Sequence, residues 1–252
     1  MRILVTNDDG IQSLGMQQLV RYLSKDNEVY VVAPDSQRSG FSHSMTFRRP
    51  MQLKEYPIEG AKKSYSLTGS PADCVRFAVR CLKLPIDMVV AGPNVGPNLT
   101  VDVYYSGTVG AASEGVIMGL PSVALSYACE HVDQNLLDFD AACSYLTDNV
   151  GKLFELSKKG TFFNINVPCV PKDEIKGVKV VKYGEKMFED LYELYGGEEA
   201  KENEYWLTGD FVAFNEVEET DAYYIGQGYI TITPLKIDIC DWELLKELEG
   251  KF

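Results

Sequence analysis

The sequence predicts an α/β protein built on a mostly parallel sheet, and three observations carry that expectation. Ile3–Val5, Val29–Ala33 and Asp87–Ala91 are short, largely β-branched runs without polar alternation, as strands covered on both faces of a parallel sheet are. Stretches with apolar residues at helical spacing separate such runs. Strand and helix then alternate as far as Pro168, the signature of the α/β class. With 252 residues, 45% hydrophobic and 24% charged, the chain is an ordinary globular sequence, long enough for one large domain or a domain with an appendage.

Each element has its own justification. The opening strand, Ile3-Leu4-Val5, runs into Asn7-Asp8-Asp9-Gly10. Met16, Leu19, Val20 and Leu23 give the next helix one apolar face, and Asn27 ends it. Val29–Ala33, closed by Pro34, completes a βαβ unit with a right-handed crossover. Residues 48–67 read as a β excursion, from the alternation around Met51, Leu53, Tyr65 and Leu67. Ser70 is an N-cap, Pro71 takes the first helical position and Asp73 completes a capping box. Val75, Ala78, Val79 and Leu82 form that helix's stripe, and Pro85 stops it. After the strand Asp87–Ala91 comes a loop, 92–98, stiffened by two prolines. A small-residue helix, Val109–Met118, is capped by Ser106 or Thr108, and Ser122–Ser126 is the next strand. A long helix covers about 135–158, and Thr161–Val167 is the last strand assigned to the main sheet.

Beyond Pro168 the pattern changes. Val178–Val181 is a strand, and Tyr205–Leu207 with Phe211–Phe214 suggests a β-hairpin about Gly209. Thr220-Asp221 starts a short helix, Tyr229–Thr233 is a strand closed by Pro234, and a terminal helix capped by Asp241 carries Leu244, Leu245 and Leu248. The chain therefore divides into a core, 1–168, and an extension, 169–252, holding a β-hairpin, a last core strand and a terminal helix, without being an independent domain.

Composition excludes several functions. A net charge of −13 argues against duplex nucleic acid, which needs a basic stripe. A small phosphorylated ligand stays compatible, because one bound cation inverts the local field. The six cysteines include no CxxC pair and the only histidines are His43 and His131, so a zinc finger or thioredoxin-type site is not expected. Most of the cysteines lie in apolar segments, as buried structural thiols do. No secretory leader or membrane-spanning run is visible, and the expected location is cytoplasmic, with no membrane partner.

The chemistry is expected at the carboxyl ends of the strands, where open α/β sheets bind ligands. Asp8 and Asp9 stand at the first such end; two adjacent carboxylates repel, and a bound cation relieves them. The polar segment Asp35–Thr46 leaves the second strand: Ser39-Gly40 offers a hydroxyl and backbone N–H groups, and Arg38 could meet a phosphate. Asn94 and Asn98 follow the strand 87–91; one carboxamide oxygen suits a cation and the other Asn a substrate. Ser106, Gly107 and Thr108 open a helix whose N-terminal amides suit an anion.

Taken in order, Thr6–Gly10, Ala33–Asp35 with Arg38–Gly40 and Ser42, Ser70–Cys74, Gly92–Asn98, Tyr105–Thr108, Asn164–Pro168, Thr220-Asp221 and Gly228–Leu235 resemble the SurE (survival protein E) nucleotidase family over nearly the whole chain. The resemblance implies a Rossmann-like, mostly parallel three-layer sandwich whose C-terminal hairpin and helix serve oligomerisation, as a homodimer or homotetramer. It implies a divalent-metal-dependent phosphomonoesterase acting on nucleoside 5′- and 3′-monophosphates, with polyphosphate a further substrate of some members. Carried over by motif, Asp8, Asp9, Ser39 and Asn94 are the metal ligands, for one Mg²⁺ or Mn²⁺ per subunit, with Ca²⁺ able to substitute. Gly40, Asn98, Ser106, Gly107 and Thr108 are the substrate and phosphate contacts. Asp8 and Asp9 are the expected catalytic residues, orienting water for in-line attack while the ion polarises a phosphoryl oxygen. The chain departs from the family at His43, which not every member carries, and in having no histidine after His131 to serve as a C-terminal general acid. A phospho-aspartyl phosphatase is the poorer match, since its Asp-x-Asp is here an adjacent pair. A non-catalytic nucleotide-binding module on the same fold is the alternative. A dinucleotide-dependent reductase would need GxGxxG glycines that the first βα turn lacks.

Overall fold

The computed structural model describes residues 1–129, 137–185, 188–195, 203–211 and 218–251. Nine strands form one sheet: β1 (Arg2–Thr6), β2 (Glu28–Pro34), β3 (Leu53–Glu55), β4 (Ala61–Leu67), β5 (Met88–Val95), β6 (Ser122–Ala128), β7 (Thr161–Pro168), β8 (Val178–Val180) and β11 (Ile230–Lys236). Their order is β3-β4-β2-β1-β5-β6-β7-β11-β8, and β9 (Phe188–Leu194) with β10 (Tyr205–Phe211) makes a separate two-stranded sheet. From β4 to β7 every pairing is parallel. The helices are α1 (Leu14–Leu23), α2 (Pro71–Arg80), α3 (Gly107–Ile117), α4 (Asp140–Leu156), α5 (Asp221–Gly226) and α6 (Trp242–Leu248).

Strand periodicity builds two cores. Ile3, Val5, Val29 and Val31 meet Met16, Leu19, Val20 and Leu23 of α1 and the apolar side of α4. Leu4, Tyr30, Val32 and Val89 point the other way, onto Cys74, Val75 and Ala78 of α2 and Val109, Ala112 and Val116 of α3. A sheet covered on both faces in this way is a three-layer sandwich, and it explains why β1, β2 and β5 lack polar alternation. The polar loops therefore collect where β1, β2, β5 and β6 end.

Several boundaries differ from those expected. Strand β11 joins the main sheet beyond β7, antiparallel to it, and β8 pairs with β11, so the sheet does not stop at Pro168. Helix α3 starts at Gly107 and Ser106 is its cap. Helix α4 starts only at Asp140, because Phe139 turns inward against Tyr127; the first residues assigned to this helix, 135–136, lie outside the described ones. The hairpin pairs β9 with β10, not residues on either side of Gly209, which sits mid-strand opposite Asp190. A glycine within a strand reads as a turn, while the strand register of 188–194 is hidden among acidic residues; residues 212–214 lie outside the described ones.

The cysteines also depart from expectation. Cys74 and Cys143 are buried thiols, but Cys81 and Cys240 are exposed, and Cys129 is bonded to Cys169. The β6–β7 register ends on Ala128 opposite Pro168, which leaves the next residue of each strand side by side.

At the opposite end of the strands, Arg2 binds Asp87 through its backbone N–H, 2.8 Å, and through Nε and Nη2, 3.0 and 2.5 Å. The Arg2 guanidinium holds the Asp87 carboxyl at about 2. A depressed folded-state value stabilises the fold above the ordinary carboxylate range and loses that stabilisation as pH falls through about 2. Asp87→Asn should therefore flatten the loss of stability between about pH 4 and pH 2, measured by urea unfolding at stepped pH; an unchanged slope would remove Asp87 from the acid response.

Candidate functional site

The site begins where β1 ends. Asn7 closes the turn, its Oδ1 accepting from Gly10 N at 3.2 Å and its Nδ2 donating to Gly10 O at 3.0 Å. That turn leaves Asp8 buried, with its carboxylate against the first residues of α3. Thr108 Oγ1 donates to Asp8 Oδ1 at 2.6 Å and Thr108 N to Oδ2 at 3.3 Å. Burial pushes the Asp8 carboxyl up, and the bonds from Thr108 and the Gly107 amide pull it back. Gly107 is required by the approach: a Cβ there would lie 3.0 Å from Asp8 Cβ and Oδ2. Ser106 Oγ accepts from Val109 N at 3.1 Å and caps the helix.

Asp9 reaches the end of β5, where its Oδ2 accepts from Val95 N at 3.3 Å. Val95 adjoins Asn94, whose Nδ2 donates to Gly96 O at 2.9 Å. The β5–β6 register breaks between Ala91 and Asn94, at Gly92. This residue has φ +119°, and a Cβ on it would meet Leu125 O at 2.1 Å, so glycine alone fits. The Asp35–Thr46 segment is fastened to the same strand end, since Arg38 N donates to Asp8 O at 2.6 Å. Ser39 follows directly, its Oγ accepting from Gln37 Nε2 at 3.0 Å. Gly40 has φ +72° and open space where a Cβ would be.

The backbone ties the segments that carry these residues: Arg38, which precedes Ser39, donates its N–H to Asp8 O, and Val95, which follows Asn94, donates its N–H to Asp9 Oδ2. Two groups offered to a phosphate have partners within the chain. The Thr108 amide donates to Asp8 Oδ2 at 3.3 Å. Arg38 is paired with Asp35, Nη2 to Oδ1 at 2.8 Å.

Asn98 is buried in a polar cluster that the sequence pattern does not assign. Its N–H donates to Asn166 Oδ1 at 2.8 Å, and its Nδ2 to Ser126 Oγ at 2.8 Å. Its carbonyl accepts from Asn164 Nδ2 at 2.8 Å and Asn166 Nδ2 at 3.1 Å. A signal exists: two asparagines at i and i+2 of an otherwise apolar strand share one face. Just beyond, Asp221 accepts from Thr100 N, Gly184 N and Ala222 N at 3.0, 2.9 and 2.8 Å. The start of α5 is thereby tied to the loop that carries Asn98.

The donor set consists of two carboxylates, a hydroxyl and a carboxamide. All are hard oxygen donors, which fit Mg²⁺, Mn²⁺ or Ca²⁺ and not a thiolate-seeking ion. Among the described residues no group of three or more His, Cys, Asp or Glu converges. His131 lies outside the described residues.

Fold and site together define an α/β protein with an acidic, oxygen-rich cluster at the carboxyl ends of its parallel strands. The family model described as Survival protein SurE matches residues 3–190. The chain is 39% identical to the 5′-nucleotidase SurE of Clostridium tetani, over 100% of both chains. It is 40% identical to that of Clostridium beijerinckii, over 100% of this chain and 99% of the relative. The crystal structure of the SurE protein from Aquifex aeolicus superposes with a TM-score of 0.84 at 32% identity, covering 99% of this chain and 98% of that one. This chain belongs to the SurE family.

Asn166→Ala would leave the buried Asn98 N–H without its acceptor. A loss of about 1–3 kcal/mol of stability is expected, read from urea unfolding; a change below a few tenths would show that Asn98 does not depend on β7.

Proposed function

We propose that the chain is a divalent-metal-dependent phosphomonoesterase that releases phosphate from nucleoside 5′-monophosphates. The observation supporting this is that the segments bearing Ser39 and Asn94 are tied to Asp8 and Asp9 through Arg38 N and Val95 N, in a chain whose relatives are named 5′-nucleotidase. Nucleoside 3′-monophosphates and short polyphosphate belong to the same proposal as further substrates.

Asp8, Asp9, Ser39 and Asn94 would hold one Mg²⁺ or Mn²⁺ per subunit. When bound, such an ion supplies Lewis acidity to a phosphoryl oxygen and lowers the pKa of an adjacent water. The chain's own part is positioning. Thr108 and the N-terminus of α3 fix the Asp8 carboxylate, so that it cannot rotate away from the strand end. Asp8 or Asp9 would orient the attacking water. The unobstructed Gly40 would let a phosphoryl oxygen approach the backbone; Ser106, whose Oγ accepts from Val109 N, keeps a hydroxyl proton to donate, and Asn98, whose Nδ2 is held by Ser126, would offer its carboxamide oxygen to substrate. Thr108 acts through Asp8, to which its amide and hydroxyl already donate, and Gly107 gives that carboxylate room to approach.

Oligomer formation is part of the reading. Leu191, Tyr192, Leu194, Tyr205, Trp206 and Leu207 on β9 and β10 are all exposed, and exposed apolar surface of this kind marks an interaction site; it suits a homodimer or homotetramer. Among the described residues no helix is long and apolar enough to cross a membrane. A cytoplasmic location is proposed as well, and in that reducing setting Cys129 and Cys169 would stand as neighbouring thiols.

The test is phosphate release from a nucleotide panel with Mg²⁺, Mn²⁺ or EDTA. Metal-dependent release from 5′-monophosphates is expected, with Asp8→Asn losing about two orders of magnitude in kcat or more at an unchanged fold. Tight nucleotide binding without release at any metal concentration would overturn the enzymatic reading in favour of a binding module.

A further inference from the structure

Helix α3 carries a buried carboxylate that the proposed chemistry does not use. Glu114 is 1% exposed and stands one turn beyond Gly110 on the same face of the helix. One carboxylate oxygen, Oε1, accepts from Arg76 Nε of α2 at 2.7 Å. The other, Oε2, lies 2.8 Å from His43 Nε2; facing a carboxylate, that ring nitrogen is the donor. His43 sits in the segment that bears Ser39 and Gly40.

The backbone around His43 lies flat on α3. A Cβ on Gly110 would meet Ser42 O at 2.6 Å and His43 Cα at 2.9 Å. Ser42 N donates to Tyr105 O at 2.9 Å and Ser42 Oγ to Tyr104 O at 2.5 Å. Ser42 itself has φ 53°, a left-handed conformation that its surroundings must hold in place. On the near side Arg38 N is tied to Asp8 O. The exposed Ser39–Gly40 tip thus spans two anchors, and on the far anchor it is the His43 side chain that reaches a buried charge.

We propose that Glu114, acting through His43, is a positioning residue that sets the Ser39–Gly40 tip against the Asp8–Asp9 strand end. The inference rests on the reading of that strand end as a metal and phosphate site. Arg76 supplies the control, because it satisfies the same carboxylate from α2, outside the loop. A merely structural Glu114 would respond alike to the loss of either partner; a positioning Glu114 would not.

The experiment compares His43→Ala, His43→Gln and Arg76→Met in the full chain. Hydrogen exchange at the Phe41 and Ser42 amides is read without metal or substrate, and Mn²⁺ affinity by calorimetry. In His43→Ala, exchange at both amides should accelerate about tenfold and Mn²⁺ binding weaken about tenfold, under conditions in which every variant stays folded. His43→Gln, which can still donate to Glu114, should recover most of both, and Arg76→Met should leave both as in the wild type. Unaltered exchange in His43→Ala, or equal acceleration in His43→Ala and Arg76→Met, would overturn the proposal. Should the wild-type chain take up no Mn²⁺, the metal reading falls, and the exchange result alone decides whether His43 and Glu114 hold the loop.

Discussion

Burying the carboxylate of Asp8 is the constraint on which the rest of this structure depends. Position 8 lies two residues past the end of a central strand flanked by β2 and β5, and its side chain is buried. An unpaired buried carboxylate is costly, and the nearest compensation is the N-terminus of α3, whose free amides and partial positive charge favour an anion. Meeting it demands a glycine at 107 for the approach and a hydroxyl at 108 for the shortest of the bonds. The first turn of α3 is thus fixed relative to the sheet by an electrostatic need and not only by the apolar packing of Val109 and Ala112 below it.

With α3 held there, other parts of the site acquire their places. Its Gly110 face accepts the Ser42–His43 backbone, which returns the loop leaving β2 to the end of β1. On the far side of β5, polarity is handled differently. Asn98 is met by side chains instead of a helix terminus: β6 and β7 offer Ser126, Asn164 and Asn166. Asp221 extends the same logic, accepting three backbone N–H groups so that the loop after Asn98 and the segment before the hairpin share one anchor. Burial still pushes its carboxyl up, opposed by those three bonds. The extension is therefore wired into the site, although β9, β10 and α6 project from it.

How far the sequence disclosed all this follows from the range of each interaction. Caps and strand runs are local, and Ser70 with Asp73, Thr220 and the runs of β1, β2 and β5 were legible. The capping box is present in full, Ser70 Oγ accepting from Asp73 N and Asp73 from Ser70 N. Asp8, Asp9, Ser39 and Asn94 are proposed as a group only through an ordered set of motifs, since nothing in their spacing states that the ends of β1, β2 and β5 adjoin. What stayed hidden depends on register or on competition. The Cys129–Cys169 bond needs the β6–β7 ladder. The engagement of Thr108 by Asp8 could not be told from an open anion site, because both have the same Ser-Gly-Thr opening. Gly209 misled because a glycine within a strand and a glycine in a turn look alike in one dimension.

Charge balance gives the proposed cation its place in this arrangement. A phosphomonoester is close to a dianion at neutral pH, and the strand end already carries Asp8 and Asp9 in a chain of net charge −13. Two local sources of positive potential are taken: the α3 terminus by Asp8, and Arg38 by Asp35. A phosphate approaching the bare side chains would meet like charge from two carboxylates, with neither source left to compensate. A divalent ion held by Asp8, Asp9, Ser39 and Asn94 would reverse that sign locally. On the proposed reading, the acidic pair that would repel the substrate unaided would be what holds the ion at the end of β1, and a strongly acidic chain could then serve a phosphate ester without a basic surface.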